Sequence, residues 1–310
     1  MGPIILFIGA IFLLMKSSDF FTDASEKIGL HFGMPKFLIG VTIVAIGTSL
    51  PELVSSIIAV VTNNSEIVVG NVIGSNITNI FLVLAVVAII AKKIKVEYDL
   101  IGIDMPFLLG SAFLLILALM DGQFSLIEAI LFIVLTIIYM IYTVKQEEQN
   151  KNVKQHKLQK KKLPLSVPII LLLSAIGIYF GAKFTVDSVV AMSEIFKIGK
   201  EILAVTIVAL GTSLPELAVS ISAARKGRTE MAIGNVLGSN IFNSFAIMGL
   251  AGLFGKIVVP NIMISLGLPV MLIATLMYFF ITLDKKTTKW EGWLLLIFYM
   301  FFIGYMAGIM

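Results

Sequence analysis

The sequence has no cysteine and only two histidines, His31 and His156. No disulfide framework, thiolate metal site or cysteine nucleophile can therefore be built. An HExxH zinc helix is absent, and both histidines lie in segments read as loops. Charge is scarce as well. Asp, Glu, Lys and Arg make up 14% of the 310 residues, where a soluble domain carries about 25%. That excludes a water-soluble enzyme and a disordered chain as starting points. What the chain has in abundance is apolar residues, 58% of the total, with a mean hydropathy of +1.03. Length alone would allow about two soluble domains. At about 20 apolar residues per crossing, it holds about ten membrane spans instead.

The spans are predicted at 3–22, 36–62, 66–91, 101–120, 124–145, 166–188, 201–224, 230–255, 262–282 and 290–309. Polar punctuation marks the joins: TNNSE at 62–66, DGQ at 121–123, RKGR at 225–228 and DKKTTK at 284–289. The longest join, 146–165, is too short and too polar to bury a core and reads as a flexible, solvated linker. The N-terminal apolar stretch lacks a preceding basic region, so it reads as a first span and not as a signal peptide. Gly2 lacks the downstream hydroxyl that myristoylation needs. Net charge is +4, but the lysines sit between apolar runs, which points to membrane orientation and not to nucleic acid. About 18 of the 23 lysines and arginines fall in the joins after spans 1, 3, 5, 7 and 9. Positive joins favour the cytoplasm. The expectation is a multi-pass protein of the cell membrane with both termini outside and the 146–165 linker cytoplasmic. Asp19, Asp23 and Asp187, near the ends of spans 1 and 6, read as solvated termini.

The chain repeats itself. Residues 40–79 and 204–243 align without a gap at an offset of 164, with 24 of 40 positions identical. The matches include Thr, Ser, Pro, Glu and Asn, which apolar composition cannot supply by chance. Each copy belongs to about five spans. Five is odd, so the second copy enters the membrane from the opposite side, an inverted repeat of the kind transporters use. The expected fold is all-α and integral to the membrane. Ten helices form two inverted five-helix repeats, 1–145 and 166–310, with discontinuous helices at the site.

Glu52 and Glu216 each lie inside an apolar span, within the string GTSLPEL. A lone acid at mid-bilayer costs about 2.5 kcal/mol or more, so it persists when paired, protonated or binding a cation. Pro51 and Pro215 each remove a backbone N–H and clash with the preceding turn. The helix is expected to break there, leaving carbonyls around Ala45, Thr48, Ala209 and Thr212 without partners. Asn71, Ser75 and Asn79 recur at four-residue spacing on one helix face, as do Asn235, Ser239 and Asn243. Gly70/Gly74 and Gly234/Gly238 permit close helix approach. Asn71, Asn76, Asn235 and Asn240 read equally as glue between helices, whereas Ser75, Asn79, Ser239 and Asn243 read as lining a site. Carboxylates and freed carbonyls are hard oxygen ligands suited to Ca²⁺ or Na⁺; Mg²⁺, which keeps its waters, fits less well. Two carboxylates neutralise one Ca²⁺, two or three Na⁺, or two protons. Loads competing for one site cannot travel together, which gives exchange. A protonated structural acid, a packing kink, a Ca²⁺/H⁺ antiporter and a cation channel remain alternative readings of the same residues. No nucleophile–base set for an intramembrane enzyme is present.

GTSLPEL followed by GNVIGSN, and GTSLPEL followed by GNVLGSN, resemble the paired alpha repeats of the cation/calcium exchanger superfamily, most closely its sodium/calcium exchanger branch. The resemblance implies a Na⁺/Ca²⁺ antiporter with cation sites at mid-membrane. It assigns Glu52 and Glu216 as shared acidic ligands, and Thr48 and Thr212 as central Ca²⁺ ligands through backbone oxygens. It assigns Ala45 with Ser75 to an inner Na⁺ site and Ala209 with Ser239 to an outer one. Ser49, Ser213, Asn79 and Asn243 would line the same region. Spans 2, 3, 7 and 8 would form the ion core, with spans 1 and 6 moving against it. Potassium-carrying relatives place Asp where Asn243 stands, which argues against K⁺ co-transport. The 146–165 linker is too short for the regulatory domain of animal exchangers. The implied partners are Ca²⁺, Na⁺ and the lipid bilayer, with no prosthetic group, nucleic acid or protein partner.

Overall fold

The structure, a computed structural model, describes residues 2–96, 98, 104–151, 163–196, 211 and 213–306. Helix α1 spans Gly2–His31. Helix α2 (Lys36–Ile39) passes through a π-helical stretch, Gly40–Val44, into α3 (Ala45–Thr48), and α4 (Leu50–Val61) follows after Ser49. Helix α5 (Glu66–Thr78) widens into a π-helical stretch, Asn79–Leu84, and closes as α6 (Ala85–Ala91). Strand β1 (Lys93–Lys95), α7 (Asp104–Leu119), β2 (Gln123–Phe124) and α8 (Leu126–Lys151) complete the first half.

The second half opens with α9 (Ser166–Phe196). Helix α10 (Leu214–Arg225) and α11 (Thr229–Ile241) follow; a π-helical stretch, Phe242–Ile247, leads into α12 (Met248–Gly252). Strand β3 (Ile257–Val258), a π-helical turn Met263–Gly267, α13 (Leu268–Thr282), β4 (Lys286–Thr288) and α14 (Lys289–Met306) end the chain. The order of broken and π-widened helices thus recurs where the sequence repeats.

Among the described residues, six helices are long and apolar enough to cross a membrane, or seven if the bent pair Lys36–Thr48 and Leu50–Val61 counts as one span. Helices α1 and α9 expose most of their surface, including Ile5, Ile8, Phe12, Leu172 and Leu173. Such apolar faces are at home in lipid. The stretches 66–91 and 229–252 are instead enclosed by other helices.

Two helices pack most extensively on each other, and the first of them also lies along α10. Helix α1 packs along α9 through Gly177 and Gly181. A Cβ at Gly181 would lie 2.8 Å from the backbone N of Leu14. Only glycine allows that approach, and close backbone contact is what drives helix association in lipid, where the hydrophobic effect is absent. At the other crossing, Gly234 and Gly238 of α11 sit against the carbonyls of Phe37 and Val41. Gly70 and Gly74 have no such neighbour among the described residues. The counterparts of Phe37 and Val41 fall at 201 and 205, outside the described residues.

The structure corrects several boundaries. Helix α1 runs past 22 to His31, which ends a helix and does not sit in a loop. At 30 residues it is about 45 Å long, well over the about 30 Å of hydrocarbon. Its last turns carry acids that stay partly exposed, as expected, but are also paired. Ser222 donates to Asp19 Oδ1 at 2.6 Å, and Lys226 lies 3.0 Å from Asp23. Arg228 reaches Asp23 and Glu26, each at 2.6 Å. The cause is topological: the turn between α10 and α11 delivers two cations beside the protruding end of α1. Asp187 is exposed, but it is not a terminus: α9 runs past 188 to Phe196. Helix α8 continues to Lys151, so the linker begins as helix; His156 lies outside the described residues.

Two short antiparallel ribbons join the halves. β1 pairs with β4, placing Lys93 opposite Thr288, Ile94 opposite Thr287 and Lys95 opposite Lys286. β2 pairs with β3, placing Gln123 opposite Val258 and Phe124 opposite Ile257. The offset of 164 carries residue 93 to 257 and 123 to 287. Each ribbon therefore takes one strand from each copy, and the two lie at either end of α7.

Two outcomes follow from these contacts. Gly181→Leu should force α1 off α9 and cost about 1–3 kcal/mol of overpacking, read as a lowered thermal midpoint in detergent. Arg228→Gln should cost about 1 kcal/mol at low ionic strength, with the gap to wild type closing in high choline chloride as screening rises.

Candidate functional site

The two GTSLPEL strings meet in the interior. Pro51 and Pro215 sit in the first turn of α4 and α10, where a missing N–H costs nothing. The break before each is sharp and alike: Ser49 has φ −88°, ψ 4° and Ser213 has φ −89°, ψ 5°. The axis bends by 41° at Ser49. This geometry sets Glu52 and Glu216 in the first turn of their helices, each only 1% exposed. Ser49 donates to Glu216 Oε1 at 3.0 Å, and the two carboxylates are near enough to interact electrostatically.

The second strings close around them. Asn71 of α5 donates to Ser56 Oγ at 3.1 Å and to the Glu52 carbonyl at 3.3 Å. Asn235 of α11 makes the equivalent bond to Ser220 Oγ at 2.9 Å and accepts from Thr48 at 3.4 Å. Asn79 donates to Asn240 Oδ1 at 3.2 Å, and Asn76 donates to Ser244 Oγ at 2.9 Å. These bonds run between copies, so all four strings belong to one network.

The network leaves oxygens unused. Both carboxylate oxygens of Glu52, Oε2 of Glu216, Oδ1 of Asn79 and Asn243, and Oγ of Ser213 and Ser239 are buried without a hydrogen-bond partner among the described residues. Buried acceptors in folded proteins are ordinarily paired, because each orphan costs about 1–3 kcal/mol. No lysine, arginine or histidine forms an ion pair with either glutamate among the described residues. No cluster of three or more His, Cys, Asp or Glu occurs there either. The arrangement is two acids set among neutral oxygens, a hard-acceptor set that a cation satisfies.

Of the twelve residues singled out from the sequence, Ala45, Thr48, Ser49, Glu52, Ser75, Asn79, Ser213, Glu216, Ser239 and Asn243 are all buried. Ala209 and Thr212 lie outside the described residues. One expectation needs correction. The Ala45 carbonyl is not orphaned: it accepts from the Ser49 N–H at 3.0 Å and from Thr48 Oγ1 at 3.3 Å. The helix breaks at Ser49, just before Pro51 and Glu52, as the sequence suggests. The carbonyl that loses its partner to Pro51 is that of Gly47, four residues back.

Sequence reasoning missed Ser56 and Ser220, which hold the two asparagines. Both stand four residues after the acid and are identical in the two copies, which was the available signal. It also missed Asp104, buried at the start of α7, where it accepts from the Tyr139 hydroxyl at 3.0 Å. That pair belongs to α7 and α8, not to the four strings.

Comparison with known proteins places this arrangement. The family model described as sodium/calcium exchanger protein matches residues 2–145 and 166–308. The sodium/calcium exchanger MaX1 of Methanosarcina acetivorans is 35% identical, with 97% of each chain covered. The inner membrane protein YrbG of Escherichia coli is 30% identical over 88% of this chain and 86% of its own. Among solved structures, the sodium-calcium exchanger NCX_Mj superposes with a TM-score of 0.83 at 34% identity, with 97% of both chains covered. The fold is that of NCX_Mj, and the chain belongs to the sodium/calcium exchanger family of membrane transporters.

Proposed function

We propose that the chain is a Na⁺/Ca²⁺ antiporter that works by alternating access at the site formed by the four strings. The observation that carries this reading is the pair of buried glutamates with unspent oxygens and, among the described residues, no cationic side chain to balance them. Two such charges match one Ca²⁺ or a small set of Na⁺ ions. Because both loads need the same oxygens, one must leave before the other enters. Glu52 and Glu216 serve both loads. Thr48 and Thr212 complete the Ca²⁺ position through backbone oxygens. Ala45 with Ser75, and Ala209 with Ser239, hold Na⁺ to either side. Ser49 orients Glu216 by its hydrogen bond, Ser213 stands in the mirrored place, and Asn79 and Asn243 line the middle. With Asn at both of these positions, the site adds no third acid for K⁺ or a proton.

The architecture proposed is ten spans in two inverted five-helix repeats, 1–145 and 166–310, with 146–165 cytoplasmic and both termini outside. The α1/α9 pair is the moving part. Its support is the glycine-mediated packing of the two helices on each other and their lipid-facing surfaces. Phe21 of α1 rests on Gly47, two residues before the break; a Cβ there would lie 2.6 Å from the ring. Sliding of α1 would carry Phe21 past the site entrance.

Purified protein in liposomes should take up radioactive calcium when driven by an outward Na⁺ gradient at clamped pH. Glu52→Gln and Glu216→Gln should each lower that flux by at least about tenfold, equivalent to about 1.4 kcal/mol, with unchanged size-exclusion profiles. Uptake that follows a pH gradient and ignores Na⁺ would replace Na⁺ with H⁺ in the reading. Ohmic calcium current without a counter-ion would indicate a channel.

Orientation has its own test, since the chain has no native cysteine to interfere. Gln123→Cys should react with an impermeant maleimide in intact cells. Gln149→Cys should react only after permeabilisation, and the opposite pattern inverts the assignment.

A further inference from the structure

We propose that the β1–β4 ribbon is a binding surface for anionic phospholipid headgroups of the leaflet it faces. Lysines 92, 93, 95, 285, 286 and 289 lie on or immediately beside its two strands. The alternation of the strands turns Ile94 and Thr287 inward and leaves Lys93, Lys95 and Lys286 exposed. Lys95 stands directly opposite Lys286, a like-charge cross-strand pair that destabilises a ribbon on its own.

The described acids beside the ribbon direct their carboxylates to backbone and hydroxyl groups. Asp284 accepts the Lys286 backbone N–H at 3.0 Å, and Glu291 caps α14 through the N–H and hydroxyl of Thr288. Among the described residues, Lys92, Lys93, Lys95, Lys286 and Lys289 form no ion pair. The cations on the turn between α10 and α11 are, by contrast, all but enclosed by acids of α1.

The fold does not require the lysines. The β2–β3 ribbon is built from repeat-equivalent residues and does the same joining with Ile257 where β1 has Lys93, Val259 in place of Lys95, Gly122 in place of Lys286 and Ser125 in place of Lys289. Lys92 and Lys285 even hold backbone φ of +62° and +59°, a region that favours glycine. Only Lys92 has a lysine, Lys256, at its repeat-equivalent position, so the positive charge is concentrated on one ribbon.

The surroundings specify the occupant. Trp290 is 78% exposed and Trp293 is 43% exposed, one on either side of Glu291 at the start of α14. Below them α14 presents Leu294, Ile297 and Phe301 outward. Tryptophan belongs at the headgroup level, and an apolar helix face beneath it receives acyl chains. A cluster of lysines immediately outside a span, with this aromatic and apolar continuation, suits a lipid phosphate and not a soluble anion.

The chain has only these two tryptophans, so its fluorescence reports on this surface alone. The full chain is reconstituted in phosphatidylcholine vesicles containing equal mole fractions of either brominated phosphatidylglycerol or brominated phosphatidylcholine. Quenching by the anionic lipid should be at least about twofold greater. The combined Lys93→Gln, Lys95→Gln and Lys286→Gln variant should bring the ratio to unity, and the corresponding Arg variant should keep the excess. Should the triple variant fail to fold, Lys93→Gln and Lys286→Gln alone should each lower the ratio. Equal quenching by the two lipids in wild type would overturn the proposal, as would an excess that survives the Gln variants. Loss of the excess in inorganic phosphate at matched ionic strength would also overturn it, by making a soluble anion the occupant.

Discussion

The structure depends on the cost of holding two carboxylates away from water. A charged group in a low-dielectric interior must be balanced, and neither Glu52 nor Glu216 is balanced by a basic side chain among the described residues. Everything around them is consistent with that demand being left for an ion to meet. Serine and asparagine oxygens surround the acids, and the asparagine amide groups that could donate to them spend those donors on one another and on Ser56, Ser220 and Ser244. Donors turned away and acceptors turned in make an electronegative space without adding a third charge.

That space is kept narrow by backbone approach. Gly234 and Gly238 bring α11 against the carbonyls of Phe37 and Val41, which sets Asn235 within reach of Thr48. Without side chains at those two positions, the second string of one copy reaches the first string of the other. The break at Ser49 performs a different task. It starts α4 anew so that Glu52 stands in the first turn of that helix, buried in the interior. The bent helix and the glycine contact are thus complementary: one supplies the acid, the other supplies the oxygens that surround it.

Much of this was legible in the sequence because membrane chemistry is unforgiving. Polar residues at Glu52, Asn79, Glu216 and Asn243 stand out against apolar runs, and their recurrence at a fixed offset removes coincidence. What could not be read was where helices end and which polar groups outside the motif find each other. Helix α1 continues to His31 because its acids meet Lys226 and Arg228, a contact between residues some 200 positions apart that no local pattern signals. The π-helical stretches at Asn79–Leu84 and Phe242–Ile247 were not read either: Asn79 and Asn243 stand out as polar residues, but nothing in their spacing signals a backbone shifted by one bond. The break falls where the proline announces it, but the Ala45 carbonyl keeps partners in Ser49 and Thr48, because proline marks a lost hydrogen bond and not which carbonyl goes without.

The crossed pairing of the two ribbons bears on how the chain comes together. β1 is made well before its partner β4, and β2 likewise waits for β3. The leading half cannot close either of its strand edges until the trailing half has entered the bilayer. Assembly is therefore a late, single event in which both ends of the molecule are fastened by the same arrival. Two separately made halves would have to find each other through both fastenings before either could be complete.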